Sequence, residues 1–168
     1  MLEVLALALF AGFLIYAACC DIASLTIPNW ASIALAVTFP AAALAHGLAL
    51  TEIGLHLLFG VAVLAVGFFL FAANIIGGGD AKLLAATAVW AGFPAFPTFI
   101  LSTAIAGGVL ALALLAARAL MKQAETQPPF VNRLLKPRGG VPYGVAIMAG
   151  GLMTIPALPL GFASLTMP

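Results

Sequence analysis

The sequence predicts an all-α fold, a polytopic membrane helix bundle of about six transmembrane helices with both chain ends on the non-cytoplasmic side. Three observations predict it. Of the 168 residues, 65% are hydrophobic and 7% charged, at mean hydropathy +1.25, whereas a soluble domain carries about 25% charged residues. The apolar residues fall into successive runs close to the roughly 20 residues that cross a bilayer. Five of the six Lys and Arg residues (Arg118, Lys122, Arg133, Lys136 and Arg138) lie in one polar segment, 118–140. A basic segment between spans stays in the cytoplasm.

The first run covers residues 2–20 and ends at Asp21. It has no basic residues before it and no small-residue cleavage site after it, so it reads as a retained span. Residues 22–29 are a short mixed connection, with Pro28 suited to the first turn of a new helix. The second run, 30–49, contains Pro40, which should kink it. Thr51 is the expected N-cap of the third run, 53–73. Asn74 to Gly79 form a glycine-rich turn. The fourth run starts at Ala81 and reaches Gly92, where Phe93-Pro94-Ala95-Phe96-Pro97 is expected to break it and place aromatic rings at an interface. Residues 81–93 are short for a span, so this run must use Phe93–Pro97 or sit in a thinned or re-entrant position. The fifth run is 98–117 and the sixth 141–160. The chain reads as one transmembrane domain, 1–168, with 118–140 as its basic cytoplasmic loop.

Several functions are excluded at this level. A net charge of +1 with no clustered basic face excludes nucleic-acid binding. Cys19 and Cys20 are adjacent in an apolar run; they supply no paired zinc ligands and read as small apolar fillers. His46 and His56 fall at the far ends of the second and third runs and have no third ligand nearby, so neither a metal nor a cofactor is expected. The glycines at 107, 108, 150 and 151 read as close helix contacts.

Two acids remain. Counting spans back from 118–140 puts Asp80 at the cytoplasmic start of the fourth run and Asp21 at the cytoplasmic end of the first. Two crossings separate them, so both face the same side. An ionisable residue beside a span is a functional-site hypothesis by default. Two carboxylates held close cannot both ionise, so one serves as acid and one as base around a water. Gly77 and Gly79 let backbone approach Asp80. Asp80 should lie where a helix dipole favours a carboxylate, and Asp21 where it disfavours one. Lys82 adds positive charge near Asp80, although snorkelling to the interface is its commoner use. Asn29 and Asn74 flank the acids as capping or turn residues that can also orient a group. The plainer readings make Asp80 an N-cap and Asp21 the wet end of a span.

With both acids placed, the chain resembles the type IV prepilin peptidase family of GxGD membrane aspartyl proteases. The resemblance rests on Asp21-Ile-Ala-Ser-Leu-Thr-Ile-Pro-Asn, on Gly77-Gly78-Gly79-Asp80-Ala81-Lys82-Leu83, and on Arg138-Gly139-Gly140-Val141-Pro142-Tyr143-Gly144. It implies that Asp21 and Asp80 are catalytic. It implies cleavage of the short basic leader of prepilins, after a glycine, at the cytoplasmic face of the bacterial inner membrane. It also implies prepilin, membrane lipid and the pilus assembly machinery as partners. Many members carry a large loop with CxxC motifs between their first spans and also methylate the new terminus. Only 22–29 separates the first two runs here, so the resemblance is to the compact branch that serves tight-adherence (Flp-type) pili and has no methyltransferase domain. Archaeal preflagellin peptidases are close relatives. Two readings from other classes stand beside it: a small transporter using Asp80 at a broken helix, and a non-catalytic scaffold of a pilus or secretion machine.

Overall fold

One helix runs through the middle of the molecule and the others pack around it. The computed structural model describes residues 2–121, 127–137 and 139–159. Among these the chain is helical, without strands: α1 (Leu2–Ser24), α2 (Asn29–Ala45), α3 (Leu50–Ala72), α4 (Gly78–Leu120), α5 (Pro129–Leu135) and α6 (Tyr143–Thr154), followed by a single 3₁₀ turn, Ile155–Ala157. Three of them, α1, α3 and α4, are long and apolar enough to cross a membrane; α2 and Tyr143–Ala157 are apolar but shorter.

The first part of α4 is apolar all round, and that pattern belongs to an enclosed helix. Every residue from Ala85 to Gly92 is buried, under α2, α3 and α6. Phe10 and Leu14 of α1, Leu35 and Phe39 of α2, Leu83 and Trp90 of α4, and Ile147 of α6 form the core. The contacts are close because a glycine on one helix admits a side chain of the next. A Cβ at Gly60 of α3 would lie 2.2 Å from Val89 Cγ2, and one at Gly151 of α6 would lie 2.5 Å from Leu14 Cδ1. Gly107 and Gly150 serve the same purpose against Tyr143 and Thr103, but Gly108 faces open space and makes no such contact. On the outer side, α3 exposes Leu55, Leu58, Val61, Val66, Phe68 and Phe69. That is the surface of a helix meeting lipid.

The break in α4 falls one residue earlier than the sequence suggested. Gly92 has φ 59, ψ 179, a conformation open essentially to glycine alone. Phe93 to Pro97 are helical and begin the second arm, where Pro94 occupies the first turn and its missing N–H matters little. The break releases the carbonyls of the turn before it, and the Nδ1–H of His56 donates to Val89 O at 2.7 Å. The same ring stacks on Phe39, centroids 4.8 Å apart. His56 is therefore a half-buried clamp on the break rather than an interface residue. His46 bonds locally, Nδ1 to Ala42 O at 2.8 Å.

Three further sequence expectations are corrected. Thr51 does not cap α3. The helix starts at Leu50, and Glu52 reaches back so that its Oε2 accepts the Ala49 N–H at 3.0 Å. α1 does not stop at Asp21 but continues to Ser24. Residues 118–140 are not a plain loop: they contain the last turn of α4 and all of α5. Pro40 does lie inside α2. The carbonyls just before it are taken by Thr38 Oγ1 (Ala34 O, 2.9 Å) and by the Trp90 indole N–H (Leu35 O, 2.7 Å).

Candidate active site

The α1–α2 connection, the glycine turn before α4 and the entry to α6 meet at one end of the bundle. Two of these turns contain non-glycine residues in the left-handed region. Leu25, φ 54, follows α1, and its N–H closes the last turn onto Asp21 O at 2.7 Å. Asn74, φ 57, ends α3 in a Schellman motif: Asn74 N–H bonds Phe71 O and Ile75 N–H bonds Leu70 O, both at 2.9 Å. Asn tolerates this conformation, whereas for Leu it costs about 1–2 kcal/mol. Such backbone is retained where the surrounding structure enforces it, commonly at functional sites.

Asp21, 5% exposed, sits in the last turn of α1. Its Oδ2 accepts the Gly144 N–H at 2.7 Å. Gly144 is in the first turn of α6, so the carboxylate of α1 rests on the positive end of another helix. Asp80, half-buried, lies in the first turn of α4, three residues after the N-cap Gly77, and accepts the Gly77 N–H. Asp80 is thus not the N-cap itself. Each acid has one helix N-terminus and one backbone donor. The dipole difference expected from sequence is offset in part, because Asp21 lies in the last turn of α1 but also receives the N-terminus of α6.

The glycines around the acids allow close approach, and none of Gly77, Gly78 and Gly79 has positive φ. A Cβ at Gly77 would lie 2.7 Å from Asp80 Oδ2. One at Gly79 would lie 3.2 Å from Ile27 Cβ, and one at Gly144 3.0 Å from Asp21 Oδ2 and 3.2 Å from Ile27 Cδ1. Ile27 is therefore wedged between the starts of α4 and α6. Asp21 and Asp80 line one cavity of about 750 Å³, together with Leu25–Ile27, Asn29, Gly77–Gly79 and the entry to α6.

Lys82 does not pair with Asp80. Its Nζ donates to Asn29 Oδ1 at 2.8 Å, across α4 and α2. Two other cations hold the turns in place. Arg118, at the end of α4, donates to Leu134 O and to Gly140 O, each at 2.8 Å. Arg133 of α5 donates to Ala23 O at the end of α1. Both guanidinium groups therefore work as backbone clasps. Lys122 and Arg138 lie outside the described residues. What the sequence did not reveal is the role of Gly144: its motif was visible, but not that its N–H serves an acid 123 residues away.

Fold and composition define the class of molecule: an all-α membrane protein, with two carboxylates facing one cavity at the end of the bundle. The chain belongs to the type IV leader peptidase family, whose model matches residues 8–112, a span that holds both aspartates. By family it is a peptidase. No curated protein and no solved structure matches the chain.

Proposed function

We propose that the protein is a membrane-embedded aspartic endopeptidase that removes the short basic leader of type IV prepilins, of the Flp or tight-adherence type, at the cytoplasmic face of the bacterial inner membrane. The observation that carries this reading is the placement of Asp21 and Asp80 over one cavity, each under a helix N-terminus. A water between the two carboxyls attacks the scissile carbonyl carbon. The ionised aspartate takes the water proton, the protonated one gives its proton to the departing amine, and the C–N bond breaks. A pair that shares a proton titrates jointly, so the roles belong to the pair. Gly144 and Gly77 orient the two carboxyls through their N–H groups. Lys82 and Asn29 are supporting residues that fix the wall beside Asp80. The whole chain acts as a single peptidase domain.

Six apolar segments fit this orientation: α1, α2, α3, the two arms of α4 on either side of Gly92, and α6. With the basic 118–140 segment in the cytoplasm, the acids share that face and both ends of the chain lie opposite. The test is co-expression with a tight-adherence prepilin, with the new pilin N-terminus read by mass spectrometry. The expected product begins immediately after the leader glycine. An uncleaved pilin, or one cut elsewhere, contradicts the proposal.

A further inference from the structure

A second hollow of about 460 Å³ opens on the outer surface between α2 and α3 and is floored by α4. Asn29 belongs to its wall and to that of the acidic cavity. From Asn29 and Lys82 it runs along Ala36, Leu57, Val61 and Val89. It spans seven residues of α2 and of α4, about 10 Å at 1.5 Å per residue. Its sides beyond the first turn are apolar, and Val61 and Leu57 are exposed at its edge. The occupant therefore enters from hydrocarbon.

The end at Lys82 is different in kind. Asn29 Oδ1 already accepts a hydrogen bond from Lys82. Two N–H of the ammonium and the Asn29 amide NH₂ remain to donate. One turn further along α2, the buried Ser32 hydroxyl has no partner. An apolar slot whose mouth carries a cation and free donors is complementary to an anion carried on a hydrocarbon chain.

We infer that the slot between α2 and α3 binds an anionic phospholipid, one acyl chain along Ala36 and Val61 and the headgroup phosphate on Lys82 and Asn29. This site shares Asn29 and Lys82 with the wall beside Asp80, but it is read by lipid binding and not by cleavage, so its failure is distinguishable from failure of the proposed activity. Its wall and its mouth can be altered separately. Ala36→Trp fills the slot. Lys82→Gln leaves the slot and removes the charge.

The experiment uses the full chain in detergent, titrated with phosphatidylglycerol or phosphatidylcholine and followed by native mass spectrometry and by thermal unfolding. The wild type should retain phosphatidylglycerol and gain thermal stability from it over phosphatidylcholine. Lys82→Gln should weaken phosphatidylglycerol about fivefold, the share of one basic residue at the headgroup, and erase the preference between the two lipids. Ala36→Trp should lose both lipids; Val61→Phe, a milder filling, serves if that variant does not fold. Equal binding of the two lipids by the wild type, or an unchanged preference in Lys82→Gln, overturns the assignment. So does slot occupancy by a peptide helix instead of lipid.

Discussion

A buried carboxylate at the end of a membrane helix needs a donor, and Asp21 finds it in Gly144. The sequence made Asp21 and Asp80 conspicuous because charge is scarce in this chain and expensive near lipid. It could not show what each acid rests on, because the Asp21 partner lies 123 residues away and is a backbone N–H. It also set Lys82 beside Asp80, only two positions along, whereas the helix turns Lys82 toward Asn29. Gly144→Ala tests this scale. Its methyl would sit 3.0 Å from both Asp21 Cβ and Oδ2, pushing the acid off its donor. Cleavage should fall more than tenfold, up to the 10²–10⁴-fold that general acid–base catalysis contributes, with helical content unchanged. Gly108→Ala, facing open space, is the control and should cleave like the wild type.

Among the elements, α4 departs most from what periodicity suggests. Its first arm looked too short to span, and it is short because α2, α3 and α6 enclose it. Irregular backbone at membrane depth is tolerated when buried in protein, and Gly92 is buried. The prolines at 94 and 97 drew the expected break forward, because proline is the stronger local signal. The His56 clamp was invisible from sequence, since its partner Val89 lies 33 residues away on another helix. Gly92→Ala should be strongly destabilising. It forces a side chain into a positive-φ conformation and places a Cβ 2.4 Å from His56 Cε1. A loss of about 3 kcal/mol or more is expected, seen as a lower unfolding temperature in detergent. His56→Phe keeps the stacking on Phe39 and drops one interhelical hydrogen bond, so it should lose only about 0.6–2 kcal/mol. Equal effects of the two substitutions would contradict the clamp.

At the scale of the whole molecule, composition and the successive apolar runs predicted the all-α membrane character, and the three long apolar helices agree with it. Orientation rests on the basic segment, yet Arg118 and Arg133 are held by backbone carbonyls. The same residues thus tie α1, α4, α5 and the entry to α6 together near the acids. A cysteine at Gln127, in a chain whose Cys19 and Cys20 are replaced by Ala, should react with an impermeant thiol reagent only after the inner membrane is opened. Labelling in spheroplasts would invert the proposed orientation. Removing the Arg118 clasp with Arg118→Gln should lower cleavage through the Gly140–Gly144 entry, with Arg118→Lys restoring little because it cannot reach two carbonyls at once.

The central claim is that Asp21 and Asp80 act as one acid–base pair on a prepilin leader. The measurement that tests it most directly is the single-turnover cleavage rate of a purified prepilin by the wild type, Asp21→Asn, Asp80→Asn and the double variant, all matched for helical content and unfolding temperature. Acting as one unit, either single variant should lose nearly as much rate as the double variant, by roughly 10²-fold or more. A single Asn variant cleaving near the wild-type rate, or losses that multiply independently in the double variant, would contradict the paired mechanism.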